Sequence, residues 1–507
     1  MSLDAAVRER LALLDQQEAG RRIWELDHTL WRPEPREIAD RLGWLTEPSA
    51  MRDRAGEIRA FAEDVAADGL TTAVLAGMGG SSLAPEVFRE TFGVAKGALD
   101  LIVLDTTHPD QVLALERSLD LQRTLFVVAS KSGTTTETLS HLEYFWARVP
   151  DGSHFVAITD PGTPLAALGR DRGFRRVFEA NPNIGGRYSA LSHFGLVNAA
   201  LIGVDLEALL DAALGFAEAS GPEVAAAANP AMALGATIGE AARAGRDKLT
   251  LVLPNSISAL GYWIEQLIAE STGKEGRGIL PVEGEDLGPP DVYGDDRLFV
   301  SLGGAGRSAL EDLAAAGHPV VRIEFEGVVE VGAEMFRWEF ATAVAGAVIG
   351  IHPFDQPNVQ SAKDATRAIL ASGSVPEIEP GDLKQLLDEA RPGDYLSIHA
   401  YLPRNPENAG RLHEVRMRLR NQLRVATTVG FGPRFLHSTG QLHKGGPNTG
   451  LFLQVVDTPR DDAEIPGQPY TFGTLIAAQA AGDLTALRER GRRVARVSLE
   501  QLEAVVS

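Results

Sequence analysis

The chain contains no cysteine. A disulfide framework, a thiolate metal site and a cysteine nucleophile are therefore excluded. It has no apolar run of the length a membrane span requires, so no membrane is expected as a partner. Cations are the minority charge: 48 Lys and Arg stand against 69 Asp and Glu, a net charge of -21. That balance argues against a general nucleic-acid binder. It does not argue against a phosphorylated small molecule, which a few local cations and oriented N–H groups can hold. Met1 to Leu30 mixes acidic and basic residues with Leu and Ala and reads as a charged amphipathic helix rather than a secretion signal. A cytoplasmic location is the expectation.

What is present is a long, moderately apolar chain: 507 residues, 44% hydrophobic, enough for more than one domain. Up to about residue 70 the pattern is helical, interrupted by Pro33 and Pro35. Strand-like and helix-like runs then alternate. Thr72–Leu75, Leu101–Leu104, Thr124–Ala129 and His154–Ile158 read as strands. Leu83–Phe92, Asp110–Leu119, Leu139–Val149 and Pro164–Arg170 read as the helices between and after them. Such alternation predicts a parallel sheet covered by helices on both faces. After an alanine-rich helical stretch from Asp205 to Ala244, a second unit opens at the strand Leu249–Leu253 and continues through Leu298–Ser301 and Val320–Ile323. A Gly/Pro/Ser break from Ser372 to Gly381 marks a boundary. Beyond it lie a strand at Tyr395–Tyr401, a basic helix at Leu412–Arg424, a glycine-rich loop around His437 and a largely helical tail from Thr474. The expected domains are 1–205 (N-terminal helices plus a first α/β unit), 206–371 (a second) and 372–507 (an α/β segment with the His437 loop and a helical tail).

The stretch that organises the chain is Ser130-Lys131-Ser132-Gly133-Thr134-Thr135-Thr136-Glu137-Thr138. It joins a buried strand to a helix and is crowded with hydroxyls. At a helix start, unpaired N–H groups and the positive dipole end favour an anion, and Ser and Thr add adjustable donors. Ser/Thr clusters are also ordinary helix caps. A second loop, Gly77-Met78-Gly79-Gly80-Ser81-Ser82, lies at the same end of a neighbouring strand, where open α/β sheets bind ligands.

Other residues offer chemistry. Arg187 sits on the glycine turn Gly185-Gly186-Arg187-Tyr188-Ser189 and could stabilise developing negative charge, or be a surface arginine. Glu270 lies near the apolar face of a long helix ending in Glu270-Ser271-Thr272-Gly273-Lys274. A partly buried carboxylate there suits a general base, and pairing with Lys274 is the bland alternative. Lys363 ends Phe354-Asp355-Gln356-Pro357-Asn358-Val359-Gln360-Ser361-Ala362-Lys363 and either faces a pocket or a solvated surface. The run His437-Ser438-Thr439-Gly440-Gln441-Leu442-His443-Lys444 offers histidine as a proton donor near neutral pH. A metal site is the rival reading, but its acidic or histidine partners are not visible nearby.

Together these stretches resemble the glucose-6-phosphate isomerase family, from about Thr72 to Lys363 and again around His437. The order, with the histidine motif after Lys363, resembles the isomerase half of bifunctional transaldolase–glucose-6-phosphate isomerases, although no transaldolase barrel precedes the first unit. The resemblance implies two tandem sugar isomerase (SIS) domains, each a parallel sheet flanked by helices, with helical N- and C-terminal extensions. It implies reversible isomerisation of D-glucose 6-phosphate and D-fructose 6-phosphate by ring opening and a cis-enediol. Glu270 is then the base, Arg187 the cation for the enediolate, His437 the ring-opening acid and Lys363 its assistant, with His443 and His352 in reserve. Gly80, Ser81, Ser130, Lys131, Ser132, Thr135, Gln356 and Gln441 are the implied substrate-binding residues. No cofactor and no metal is expected. The implied partner is a second copy: a homodimer, with the late His437 loop donated across it. The rivals are a non-catalytic sugar-phosphate sensor and an isomerase that also takes mannose 6-phosphate.

Overall fold

The computed structural model describes residues 2–378 and 380–506. Met1, Ser507 and Glu379 (inside the expected break) lie outside the described residues. Three separate sheets, all parallel, form the scaffold. The first contains β1 (Thr72–Gly77), β2 (Asp100–Leu104), β3 (Thr124–Ala129), β4 (Phe155–Thr159) and β5 (Arg176–Glu179), in the order β2-β1-β3-β4-β5. The second contains β6 (Lys248–Val252), β7 (Leu280–Val282), β8 (Arg297–Leu302) and β9 (Val320–Ile323), in the order β7-β6-β8-β9. The third contains β10 (Tyr395–Tyr401), β11 (Ala426–Phe431), β12 (Gly450–Val456) and β13 (Arg493–Val497), in the order β11-β10-β12-β13. In each sheet the first strand lies between the second and third. That arrangement opens a crevice at the carboxyl ends of the first and third strands, where chain direction switches.

Burial explains the strands. Every residue of β3 and of β8 is buried, as a central parallel strand covered on both faces must be. The register pairs Gly77 with Ala129, so the loops after β1 and β3 emerge side by side. The N-terminal helices, Leu3–Gln16, Ala19–Trp24 and Glu47–Ala67, share one hydrophobic core with both of the first two sheets. In that core the helices Pro230–Arg243 and Val331–Ile349 pack closely. Gly235 permits it, since a Cβ there would stand 2.5 Å from the carbonyl oxygen of Ala341.

The third sheet adds to the sequence reading. The tail after Thr474 is not all helix: Phe472–Glu489 is followed by strand β13 and a last helix, Leu499–Val506. The helix Phe472–Glu489 belongs to the C-terminal region but enters the core of the first sheet. Phe472 is fully buried there, stacked on His141 and edge-on to Tyr144. Burying a side chain of that size contributes roughly 2–3 kcal/mol. That anchorage brings the third sheet's helix to the hydroxyl loop.

Candidate active site

The loop after β1 meets the turn Gly186–Tyr188 and the turn Arg434–His437, and the loop after β3 shares a cavity with His437. Gly79 and Gly80 make the approach possible. Gly79 has φ +55°, and a Cβ on it would lie 2.7 Å from the carbonyl oxygen of His437. A Cβ on Gly80 would lie 1.9 Å from that of Gly186, a contact no other residue tolerates.

Arg187 is not a surface arginine: it is 1% exposed. Its Nε donates to Ser271 Oγ at 2.8 Å, and Nη2 donates to the carbonyl oxygens of Pro353 and Asp355 at 2.8 and 3.0 Å. Nη1 donates to Gln356 Oε1 at 3.0 Å and stands 3.1 Å from Glu270 Oε1. Four neighbours thus fix the guanidinium, and the remaining direction faces the Glu270 carboxylate. Glu270 is on the last turn of the helix Leu260–Thr272, with its side chain 16% exposed. Its bland partner is taken: Lys274 Nζ binds Asp355 Oδ1 at 2.7 Å. Burial lowers the Lys274 ammonium to about 8, against the opposing pull of Asp355.

Gln266, one turn before Glu270, links base and histidine. Its Nε2 donates to Glu270 Oε2 at 3.0 Å and to the His437 carbonyl oxygen at 2.8 Å. The imidazole of His437 is held from the other side by Glu137, with Nε2 3.0 Å from Oε1. Glu137 is also the acceptor of Gln479 Nε2 at 2.7 Å. Burial alone would raise the Glu137 carboxyl; the charge and hydrogen bond of His437, aided by Lys363, outweigh it and bring it down to about 2. An ionised carboxylate therefore backs the imidazole.

His437, Glu137 and Lys363 line one cavity of about 140 Å3 with Ser132, Thr134 and Thr135. Lys363 is exposed, on the helix Gln360–Ser372. The hydroxyls are braced pairwise: Ser130 Oγ and Thr135 Oγ1 are 2.8 Å apart, and Ser132 Oγ and Thr134 Oγ1 are 2.9 Å apart. Ser81 is buried just before the helix Leu83–Phe92.

Two expected substrate contacts are occupied elsewhere. Lys131 Nζ is 2.8 Å from both oxygens of Asp160 and donates to the Asn181 carbonyl oxygen at 3.2 Å, away from the cavity lining. Gln441 is fully buried: its Nε2 donates to the Gly273 carbonyl oxygen and to Asn358 Oδ1, and its Oε1 accepts from the Asn358 N–H. It ties the histidine, glutamate and lysine motifs together.

Neither reserve histidine lies at the cavity. His443 is buried beside Ser397 and His399; burial, then the charges of His399 and Lys444, push it well below the ordinary histidine value. His352 is tied to the Arg36 carbonyl oxygen and the Phe354 N–H. His437 reaches Glu137 of its own chain, so no donation from a partner is needed to join them. Sequence reasoning passed over Glu137, Gln266 and Gln479. Glu137 stood inside the quoted hydroxyl loop, but its partner is 300 residues away.

Parallel sheets with hydroxyl loops at the switch point, beside a carboxylate–guanidinium pair and a carboxylate-backed imidazole, define a sugar isomerase of the SIS class. The phosphoglucose isomerase family model matches residues 47–277. A probable glucose-6-phosphate isomerase of Natronomonas pharaonis is 31% identical over 352 residues, 60% of this chain and 80% of that protein. A glucose-6-phosphate isomerase of Thermus thermophilus is 30% identical over 383 residues, 65% of this chain and 90% of that protein. Among solved structures, a hypothetical protein of Thermus thermophilus superposes with TM-score 0.63 at 27% identity, covering 73% of this chain and 98% of that one. The chain belongs to the phosphoglucose isomerase family.

Proposed function

We infer that the chain is an enzyme, a glucose-6-phosphate isomerase, interconverting D-glucose 6-phosphate and D-fructose 6-phosphate, and that the residues gathered above perform it. The carrying observation is the Arg187–Glu270 contact, 3.1 Å, linked through Gln266 to His437, which lines the hydroxyl-bearing cavity. The phosphate is held by Ser130, Ser132 and Thr135 at the start of the helix Thr136–Trp146, where N–H groups and the dipole favour an anion. Gly80 and Ser81, in the turn before the helix Leu83–Phe92, are assigned to the same phosphate. Holding the remote phosphate positions the reacting carbons.

Ring opening comes first. His437, acting as the acid, gives its proton to the ring oxygen as the C1–O5 bond breaks, and the proton released by the anomeric hydroxyl passes back to the imidazole, with Lys363 assisting. Because Nε2 is engaged by Glu137, Nδ1 is the atom left to exchange that proton. Glu270 then takes the proton from C2 of the open aldose, giving the cis-enediolate; the hydroxyl proton on O2 passes to O1, and Glu270 returns its proton to C1 to give the ketose. Arg187, already fixed by four protein contacts, offsets the negative charge of the enediolate without reorganising.

The test is a coupled assay on fructose 6-phosphate, with mannose 6-phosphate beside it. Glu270→Gln should lose about a hundredfold or more in kcat while still binding a phosphorylated competitive inhibitor. Activity near that of the unaltered protein would remove Glu270 from the mechanism.

The family resemblance supports two further readings: a homodimer and a cytoplasmic location. Mixing Glu270→Gln and His437→Ala protomers tests donation of the His437 loop across the dimer: regained activity in the mixture supports it, and activity at the level of either variant ends it. Sedimentation showing a fully active monomer ends the dimer proposal.

A further inference from the structure

Glu137 does not hold His437 by itself. Its Oε1 accepts two hydrogen bonds, from His437 Nε2 at 3.0 Å and from Gln479 Nε2 at 2.7 Å. The other end of the Gln479 amide accepts from Thr107 Oγ1 at 2.6 Å. These contacts fix the amide's orientation chemically. A carboxylate only accepts, so the NH2 must face Glu137; the oxygen is then left for the Thr107 hydroxyl. Thr107 is fully buried and Gln479 is 4% exposed, so water does not substitute for either.

The elements come from distant parts of the chain. Thr107 follows β2, Glu137 begins the helix after the hydroxyl loop, and Gln479 is on the helix Phe472–Glu489 beside the third sheet. That helix is fixed along its length by Phe472 in the first sheet's core and, one turn beyond Gln479, by Asp483, whose Oδ1 binds Lys444 Nζ at 2.6 Å.

We propose that Gln479 is a positioning residue for the ring-opening step, orienting the Glu137 carboxylate so that His437 presents its proton to the sugar ring. The inference rests on the roles given above to Glu137 and His437. Through Gln479 the C-terminal region, which lies beyond the residues matched by the family model, completes the acid without touching the base. Gln479 makes no direct bond to the Glu270–Arg187 pair, and its path to them runs only through the backbone of His437 and Gln266, so proton transfer at carbon should be far less sensitive to it than ring opening.

The charged groups facing this pair are few in their consequences. His437 and Lys363 are the cations at Glu137. Lys444 is neutralised by Asp483. His141, behind Glu137, is lowered by burial to about 4, and burial keeps Tyr401 and Tyr470 protonated well into the alkaline range. A carboxyl placed at position 479 would therefore meet Glu137 as its dominant neighbour and share a proton with it.

The experiment compares the unaltered enzyme, Gln479→Leu and Gln479→Glu across pH. Two substrates are used: glucose 6-phosphate, and a 4,5-dideoxy hexose 6-phosphate that lacks the hydroxyls needed to close a ring. Gln479→Leu should lower kcat on glucose 6-phosphate roughly ten- to a hundredfold, change KM little, and leave turnover of the ring-incapable substrate within about threefold. Equal losses on both substrates, or none on either, overturn the proposal. Gln479→Glu is nearly isosteric and keeps the test available if the leucine variant does not fold. While the new carboxyl holds its proton it donates to Glu137 as the amide does, so activity should survive at acid pH and fall, relative to the unaltered enzyme, as pH rises. A ratio independent of pH overturns the proposal. If the unaltered enzyme itself fails to convert either sugar phosphate, the functional reading fails instead.

Discussion

The short turn Arg434–His437 has a carboxylate cluster at each end, and the two are tuned in opposite directions. At the His437 end, Glu137 accepts from His437 and Gln479 and is held down at about 2. At the Arg434 end lies a cavity of about 420 Å3 lined by Glu265, Glu283, Arg404, Arg416 and Arg434, among others. There burial and then the charge of Glu283 raise Glu265 to about 8, and burial raises Glu283 as well. Both regions are enclosed, so burial is not the difference. The donors are. Glu137 receives two N–H groups aimed at one oxygen. The arginines near Glu265 are committed: Arg404 and Arg434 grip Glu86, and Arg416 donates to the carbonyl oxygens of Thr427, Gly284 and Glu283. Glu86, with both guanidiniums, is lowered to about 2 although it shares that neighbourhood. A buried glutamate is thus a charge or a held proton according to how many donors are pointed at it.

The largest effect should come from removing the charge at the catalytic end. Glu137→Gln keeps the shape but leaves the imidazolium unsupported. We expect kcat on glucose 6-phosphate to fall about 10²–10⁴-fold, with a phosphorylated competitive inhibitor bound nearly as before, because the hydroxyl loop is untouched. A fall below tenfold would show that the carboxylate's charge does not support the acid.

The two regions were unequally legible in the sequence. β10 was read at its true bounds, Tyr395–Tyr401, because its residues are uniformly strand-forming and buried. Its neighbours β11, β12 and β13 were not. Ala426–Phe431 mixes Thr and Gly, and Arg493–Val497 is a short strand at the sheet's edge that follows a helical run. β7 is only Leu280-Pro281-Val282. The active-site motifs were legible since each is a local string tied to a turn or helix end. The partners that tune them were not: Gln479 joins Glu137 across 342 residues and Arg434 joins Glu86 across 348. Lys131 shows the converse, a residue inside the right string whose side chain turns to Asp160.

The next effect tests the Arg434 end. The folded state keeps the Glu265 proton up to about pH 8, whereas an ordinary glutamate releases it near 4.5. The unfolded chain therefore binds fewer protons across that window, so stability from this group is full below the ordinary value and is lost as pH rises through about 8. Glu265→Gln replaces the held proton with a permanent neutral amide. Its melting temperature at pH 9 should exceed that of the unaltered protein by about 2–4 °C, with a smaller difference at pH 6. The opposite ordering would mean that Glu265 is ionised and supported like Glu86.

A smaller effect is expected at Lys131, a partly buried charge with a full partner. Lys131→Met strands the Asp160 carboxylate, which should cost about 1–3 kcal/mol of stability. The KM for fructose 6-phosphate should stay within about twofold, because the Lys131 ammonium is already held by Asp160 and the Asn181 carbonyl oxygen. A large rise in KM with unchanged melting would return Lys131 to the substrate.

The smallest effect should be that of a chelator. The rival reading of His437 and His443 as metal ligands requires them to converge with a third ligand. Instead, His437 Nε2 is engaged by Glu137, while His443 lies against Ser397 and His399. Among the described residues no three His, Asp or Glu side chains are arranged to hold an ion. In the mechanism proposed above the enediolate charge falls to Arg187, whose guanidinium is already held by Ser271 and the Pro353 carbonyl oxygen. At the Arg434 end, the proton held by Glu265 already offsets the charge that a cation would otherwise have to meet. Turnover of fructose 6-phosphate and the melting temperature should both be unchanged after exhaustive treatment with a chelator. Loss of turnover alone, restored by a divalent metal, would place an ion at the catalytic end. Loss of melting temperature alone would place it between Glu265 and Glu283, and the proton assigned there would have to be given up.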